Sequence, residues 1–395
     1  MQHFTQGPAD PAFNQNPYPL YARMRAAGDL VWWQDYAMPC ATSQKAVQAL
    51  LRDRRFGREV PPELVQPIPT HLAPFYAVEA HSMLELEPPR HTRLRSLVLR
   101  AFTSRRIAGL EPEISTLCHQ LIDALPAGGC DLLPAFAQKL PVIVIARLLG
   151  VPDDMAGQLM AWSNAMVAMY QARRSHSVEI AAATAAAEFA DFLRDYVNKR
   201  RATPRDDLIT QLITAEEVGD TLSTDELITT CILLLNAGHE ATVHTLGNGL
   251  RHLLLGGQIA RPETAAAVAE EILRFDPPLH MFTRYAYEDV NAFGHDFRRG
   301  DQVGLLLASA NRDDRAWPCA DRFDPARHAS DTRTPQYASF GGGLHFCVGA
   351  PLARLELQVA LPILFARLPA LRLAGPPIYA TSYHFHGLEA LRVTY

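Results

Sequence analysis

The stretch Phe340-Gly341-Gly342-Gly343-Leu344-His345-Phe346-Cys347-Val348-Gly349 is the most informative part of the chain. A cysteine follows a run of glycines and precedes a segment, 349–367, whose pattern predicts a helix. Glycines let a backbone fold tightly and approach a flat ligand closely. A thiolate at a helix mouth feels the positive end of the helix dipole and the N–H groups there, and both favour the anion. The segment therefore reads as an ionised thiol presented on a tight loop. A buried cysteine beside a structural glycine turn is the plainer alternative.

The remaining cysteines are Cys40, Cys118, Cys130, Cys231 and Cys319. No pair has CxxC spacing, which argues against a zinc knuckle or a dithiol redox motif. They read as small buried hydrophobes in a reducing compartment. A zinc site built on His345 and Cys347 lacks further ligands at a suitable spacing. The 395 residues are 48% hydrophobic, enough apolar mass for a large core. A net charge of -5 gives no basic footprint for nucleic acid. The opening MQHFTQGPADPAF is not a signal peptide, and the longest apolar stretches, 140–150 and 231–238, fall short of a membrane span. A cytoplasmic protein is expected. No linker is visible, so one domain, 1–395, is expected.

Along the chain, 18–27 reads as a helix, and 30–33 with 36–41 as a hairpin. The stretch 60–74 holds five prolines and reads as a long surface loop. Helical patterns follow at 91–101, 104–125, 132–149, 153–170, 177–201, 205–215 and 223–255. Ser223, Thr224 and Asp225 before Glu226 form a good helix start. Gly238 in the middle of that long helix costs stability and points to a bend or to the close approach of something bulky. After a helix at 262–274, short strands are expected at 281–288, 290–293, 296–299 and 302–308. The stretch 311–340 has few periodic signals. The fold class is mainly α with a smaller β-rich part, α+β.

The spacing of Phe340, Gly343, Cys347 and Gly349 resembles the haem-binding signature of the cytochrome P450 family, and Ala350-Pro351-Leu352-Ala353-Arg354 is similar to bacterial members. Three further segments match in family order. Glu271-Ile272-Leu273-Arg274 resembles the family's Glu-x-x-Arg pair, with both side chains on one helix face. Arg322, in Asp321-Arg322-Phe323-Asp324-Pro325, matches the Arg that joins it, and the implied role is to pin 311–340 behind the haem. Ala237-Gly238-His239-Glu240 resembles the oxygen-binding segment, where a glycine widens the helix and an acid moves protons. His91-Thr92-Arg93-Leu94-Arg95 resembles the helix that clamps the haem propionates. His91 and Arg95 are the implied contacts, joined by Arg284 and His345.

The resemblance implies a P450-like fold with a long central helix over a haem b (iron protoporphyrin IX) ligated by Cys347. It implies insertion of one oxygen atom from O2 into an organic molecule, because a thiolate ligand favours O–O cleavage. One position departs from the family. Where the family usually carries an oxygen-activating Thr, this chain has Ala241, followed by Thr242. A one-residue shift rotates a helical side chain by about 100°, so Thr242 is expected to face away. Proton delivery would then fall to Glu240 with waters or to a hydroxyl of the substrate. A peroxide-using or otherwise atypical oxidase, and a non-catalytic haem or ligand-binding protein, are the alternatives.

The expected pocket draws on Met83, Leu84, Met166, Met169, Leu234 and Ala237, and on Leu279, Phe282 and Phe385. Their apolar character implies a hydrophobic small molecule as substrate. The chain ends just after the haem-domain pattern, so a separate ferredoxin and ferredoxin reductase are the expected electron donors. Arg93, Arg100, Arg105, Arg106 and Arg354 are candidates for a basic docking face.

Overall fold

Helices dominate the computed structural model, which describes residues 1–171, 174–217, 222–329 and 334–395. They belong to two units interleaved along the chain. Met1–Leu64, Glu111–Ala137 and Val243–Tyr395 form the first, and Val65–Leu110 with Gln138–Thr242 the second. The chain passes between them four times, the last time inside one continuous helix, Thr224–Leu255. No described helix is long and apolar enough to cross a membrane.

The first unit holds the sheets. Six strands lie in the order His3–Phe4, Leu30–Trp33, Met38–Ala41, Gln302–Leu306, Met281–Ala286, Phe56–Gly57. Met281–Ala286 runs antiparallel to Gln302–Leu306, with Phe282 opposite Leu305 and Arg284 opposite Val303. The two-residue period of a strand puts Phe282 and Arg284 on one face and exposed Thr283 on the other. The strands expected at 281–288 and 302–308 end early. The second stops at Leu306 because Leu307–Ala310 closes a single helical turn. One side of this sheet packs with Val47, Leu50 and Phe297, and the other with Tyr21, Met24 and Trp33.

The helix Ala265–Phe275 organises the irregular stretch that follows. Glu271 and Arg274 are fully buried and joined at 2.8 Å through both carboxylate oxygens. Arg274 also donates to the carbonyls of Asn311 at 2.8 Å and Ala320 at 2.9 Å. Glu271 accepts further bonds from the Asp324 backbone at 2.7 Å and from Arg327 at 3.1 Å, and lies 3.0 Å from His328. These partners hold its carboxyl down to about 2, although burial alone would raise it. The expectation for Arg322 is corrected here. Its side chain is 74% exposed, and its nearest acid is Asp324 at 4.0 Å. The third cation of the cluster is Arg327, because the short helical turn Pro325–His328 aims it and His328 back at Glu271.

A second buried carboxylate, Asp276, ends the same helix. It accepts bonds from the hydroxyls of Tyr18 and Tyr379 and faces His252 at 2.8 Å. Burial keeps the neighbouring His386 neutral, pushed down to about 4.

The second unit is helical. It contains Arg90–Ala101, Lys139–Leu149, Ala156–Val167, His176–Ala202 and Leu208–Glu217, with the first part of Thr224–Leu255. The helix expected over 104–125 is two, Ser104–Ala108 and Glu111–Asp123, with Gly109 and Leu110 between them. The start of the long helix is a reciprocal capping box: the Glu226 N–H donates to Ser223 Oγ at 3.1 Å, and the Ser223 N–H to Glu226 Oε2 at 2.9 Å. Glu226 also pairs with Arg93. The proline-rich stretch forms only short turns, Pro62–Leu64 and Thr70–Leu72, before the helix Ala73–Glu79.

One buried acid has no partner. Glu356, on the helix Ala350–Arg367, is 1% exposed, and neither carboxylate oxygen makes a hydrogen bond. Burial pushes its carboxyl up to about 8, so it is protonated at neutral pH.

Two outcomes follow from these buried groups. Arg327→Ala should cost on the order of 1–3 kcal/mol in chemical denaturation, because it strips a buried carboxylate of one partner. Arg322→Ala should stay within about 0.5 kcal/mol of the parent, and equal effects would refute the assignment. For Glu356, the native state binds more protons than the unfolded one between the ordinary carboxyl range and about pH 8. Its contribution is therefore complete below that window and declines as pH rises through it, by up to about 1.4 kcal/mol per pH unit. Glu356→Gln should flatten the fall in stability with rising pH in denaturation curves measured across that range.

Candidate functional site

The cysteine loop in the first unit is built by local chemistry. Gly341 and Gly343 adopt φ of 68° and 64°, a region that side chains resist. A Cβ on Gly343 would lie 2.4 Å from the Leu51 carbonyl, so this turn rests directly on the end of the helix Gln44–Leu50. A Cβ on Gly341 would meet the Phe282 ring at 3.3 Å. The loop is closed by the Cys347 N–H donating to the Phe340 carbonyl at 2.9 Å. Cys347 then stands exposed, three residues before the helix Ala350–Arg367. A Cβ on Gly349 would lie 3.8 Å from the sulfur, an ordinary contact distance.

The other cysteines are poorer donors. None of the six forms a disulfide. Burial pushes the thiols of Cys40, Cys118 and Cys231 up to about 12, which leaves them protonated and inert. Exposure with a helix mouth three residues on is the combination at Cys347; exposed Cys319 lies in the irregular stretch instead.

One group of side chains holds the loop, and a second gathers on the Phe282 ring that faces Gly341. Arg354, on the helix after the cysteine, pairs with Glu270 at 2.6 Å and donates to the Tyr337 hydroxyl at 2.7 Å. Its guanidinium lies 4.7 Å from the centroid of the Phe340 ring. Sequence reasoning assigned Arg354 to a docking face. The structure makes it a brace of the cysteine loop, and neither Glu270 nor Tyr337 was foreseen. On the other side, the Arg284 and Arg58 guanidinium groups lie 6.0 Å and 5.7 Å from the Phe282 ring centroid. Arg284 is 2% exposed and donates to the Thr283 carbonyl. Arg58 was missed; the only sequence signal was a run of arginines at 52–58. His345 is half-buried in the same loop.

In the second unit, Gly238, Glu240, Ala241 and Thr242 share one turn of the long helix. The helix is α-helical throughout, with no widening at Gly238. The glycine lets Ile145 pack closely, since a Cβ there would lie 3.0 Å from Ile145 Cγ1. Thr242 is buried and its hydroxyl donates to the Gly238 carbonyl one turn back at 3.4 Å. Glu240 lies 3.4 Å from His239 Nε2, and the Asn164 side-chain amide lies 3.1 Å from its Oε2, donating to it when the amide nitrogen is turned toward the acid. Asn164 was not foreseen. Leu233, Asn236, Ala237, Gly238, Glu240 and Ala241 keep accessible surface, and the spacing of 233, 237, 240 and 241 puts those four on one stripe.

His91 is buried and Arg95 half-buried on one face of Arg90–Ala101. Met83, Met166, Met169 and Leu234 are buried in the second unit, where Met166 sulfur accepts from Asn236 at 3.6 Å. Leu84 is half-buried there and Ala237 exposed. Leu279, Phe282 and Phe385 are half-buried in the first unit, Phe385 with its ring 5.7 Å from that of His244.

A flat iron porphyrin with two carboxylates needs a soft axial donor, a surface on which the ring can lie and cations for its acid groups. The exposed thiol of Cys347, the side-chain-free glycine turn beside it and the buried Arg284 are a donor set of that kind. These residues fit the group.

Comparison with known proteins points the same way. The family model described as Cytochrome P450 matches residues 66–261 and 259–369. The polyketide biosynthesis cytochrome P450 PksS of Bacillus subtilis is 35% identical over 100% of this chain and 99% of its own length. The cytochrome P450 monooxygenase PikC of Streptomyces venezuelae is 34% identical over 96% and 91%. Among solved structures, P450BioI in complex with acyl carrier protein carrying hexadec-9Z-enoic acid superposes with a TM-score of 0.89 at 33% identity, over 97% of this chain and 99% of that one.

Proposed function

Because the chain belongs to the cytochrome P450 family and is a haem monooxygenase, we propose that Cys347 ligates a haem b and that the enzyme oxidises a hydrophobic small molecule. The observation that carries this reading is the exposed sulfur on a glycine loop closed by the Cys347–Phe340 backbone bond. When bound, the haem supplies activation of O2 and transfer of one oxygen atom, the other leaving as water.

The chain's own residues then divide the remaining work. The N–H groups at the start of Ala350–Arg367 favour the Cys347 thiolate. His91, Arg95, Arg284 and His345 are the proposed donors to the two propionates, with Phe340, Gly343 and Gly349 shaping the loop beneath the ring. Glu240 is the proposed proton carrier, with Asn164 orienting its carboxylate. Thr242 is not proposed to replace the missing hydroxyl at Ala241, because one residue along a helix turns a side chain by about 100°. A water or a hydroxyl of the substrate completes the relay in this proposal. Met83, Leu84, Met166, Met169, Leu234, Ala237, Leu279, Phe282 and Phe385 are the proposed pocket residues.

Interleaving of the two units, with the last crossing inside a helix, supports treating 1–395 as one domain. Electrons are proposed to come from a ferredoxin and its reductase in the cytoplasm. The docking face is narrower than the sequence suggested, since Arg93 and Arg354 engage Glu226 and Glu270. Arg100 and Arg105 remain exposed. A peroxide-using oxidase is the second reading, favoured by Ala241.

The reduced, carbon-monoxide-bound protein should show the red-shifted Soret band of thiolate ligation, and Cys347→His should abolish that shift while retaining haem. An unaltered band would overturn the ligand assignment. In Ala241→Thr, product formed per NAD(P)H consumed should stay level or fall. A large gain would mean that the native relay is poor and that water or substrate does not complete it.

A further inference from the structure

The stretch 60–74 and the helix His176–Ala202 meet at a group of side chains that the haem chemistry does not use. His71, in the turn Thr70–Leu72, brings Nε2 to 2.8 Å from Glu179 Oε2. His176, the first residue of the helix, places Nδ1 3.8 Å from the same oxygen. The two imidazole rings face each other edge to face at 4.7 Å. The three ligand atoms all lie within 4.8 Å of one another. We propose that His71, His176 and Glu179 form a surface site for a divalent transition-metal ion of the zinc class, which fastens the proline-rich stretch to the first turn of the helix.

Several features support this assignment. Around a tetrahedral zinc ion, nitrogen and oxygen ligands sit roughly 3.4 Å apart. The observed 2.8 and 3.8 Å bracket that spacing. His176 is 72% exposed, so its ring turns at little cost to close the set and leaves a route for the ion and a fourth position for water. Two imidazoles with one carboxylate favour zinc, nickel or copper over magnesium or calcium, which take oxygen ligands. Arg174 donates to the other oxygen of Glu179 at 3.1 Å. It fixes the carboxylate plane and leaves Oε2 for the ion, as outer partners of metal ligands do. On binding, His71 keeps one ring proton, moved to Nδ1, so Nε2 presents its lone pair.

His71 and Glu179 are 108 residues apart in sequence. Their link alone is a partly exposed pair, which holds such a contact weakly. An ion bonded to both segments holds it far better, and the stretch it restrains has no long element of its own.

Equilibrium dialysis of the haem-loaded full chain against zinc(II), with bound metal read by atomic absorption, tests the site. One equivalent should bind saturably at micromolar free zinc, with no uptake of magnesium at the same concentration. His176→Ala and Glu179→Gln should each weaken uptake by roughly tenfold or more. The metal-free thermal midpoint of His176→Ala should match the parent, which separates ligand loss from unfolding. Zinc should slow proteolysis within 60–74 in the parent and not in His176→Ala. Absence of saturable uptake, or uptake unchanged in His176→Ala, would overturn the site. Uptake without slower proteolysis would overturn the fastening.

Discussion

The carboxylate of Glu271 lies wholly out of water, and ordering of the cysteine loop begins with the partners it requires. A buried ion is tolerated only when paired and hydrogen-bonded on every side. Glu271 therefore demands Arg274, Arg327, His328 and the Asp324 amide together, and Arg274 in turn demands the carbonyls of Asn311 and Ala320. These demands wrap an aperiodic segment around one helix. Asn311 extends the order further, accepting from the Ala338 amide and donating to Ser339. The adjacent Glu270 holds Tyr337 and Arg354, one on each side of Cys347 in the chain. Two neighbouring acids on one turn thus fix both ends of the loop that presents the sulfur.

The parts legible in the sequence were those governed by local chemistry. The glycine–cysteine loop, the Glu271–Arg274 spacing and the Ser223–Glu226 cap each depend on residues a few positions apart, and each has the expected local geometry. The parts that escaped depend on how irregular chain returns to a helix. Arg322 and Arg327 stand five positions apart in a segment without periodicity, and only the turn Pro325–His328 decides which reaches Glu271. Arg354 read as a solvated cation because Glu270 is 84 residues away. Asn164 carries no motif at all; only the fold brings the amide of this residue, on the helix Ala156–Val167, to 3.1 Å from Glu240.

The long helix shows how one element answers unlike demands along its length. Its start is secured by a carboxylate that serves the cap and Arg93 at once. Its middle accepts the cost of a glycine in order to admit Ile145. Ala241 then brings no hydroxyl to the accessible stripe. Glu240, with the Asn164 amide beside it, is an ionisable group there. Selectivity in proton handling would rest less on a rigid side chain than on what occupies the space beside it.

The three consecutive glycines differ in their mutational slack. Gly341 and Gly343 sit in left-handed backbone against a ring and a carbonyl, whereas Gly342 is extended, with its nearest neighbour, Leu51 Cβ, at 3.2 Å from a Cβ added there. The outer two admit almost no genetic drift, while a small residue at the centre asks only a slight retreat of a leucine. The catalytic repertoire of such a protein is therefore free to diversify in its helices and pocket, around an anchor whose evolution is nearly frozen at two positions.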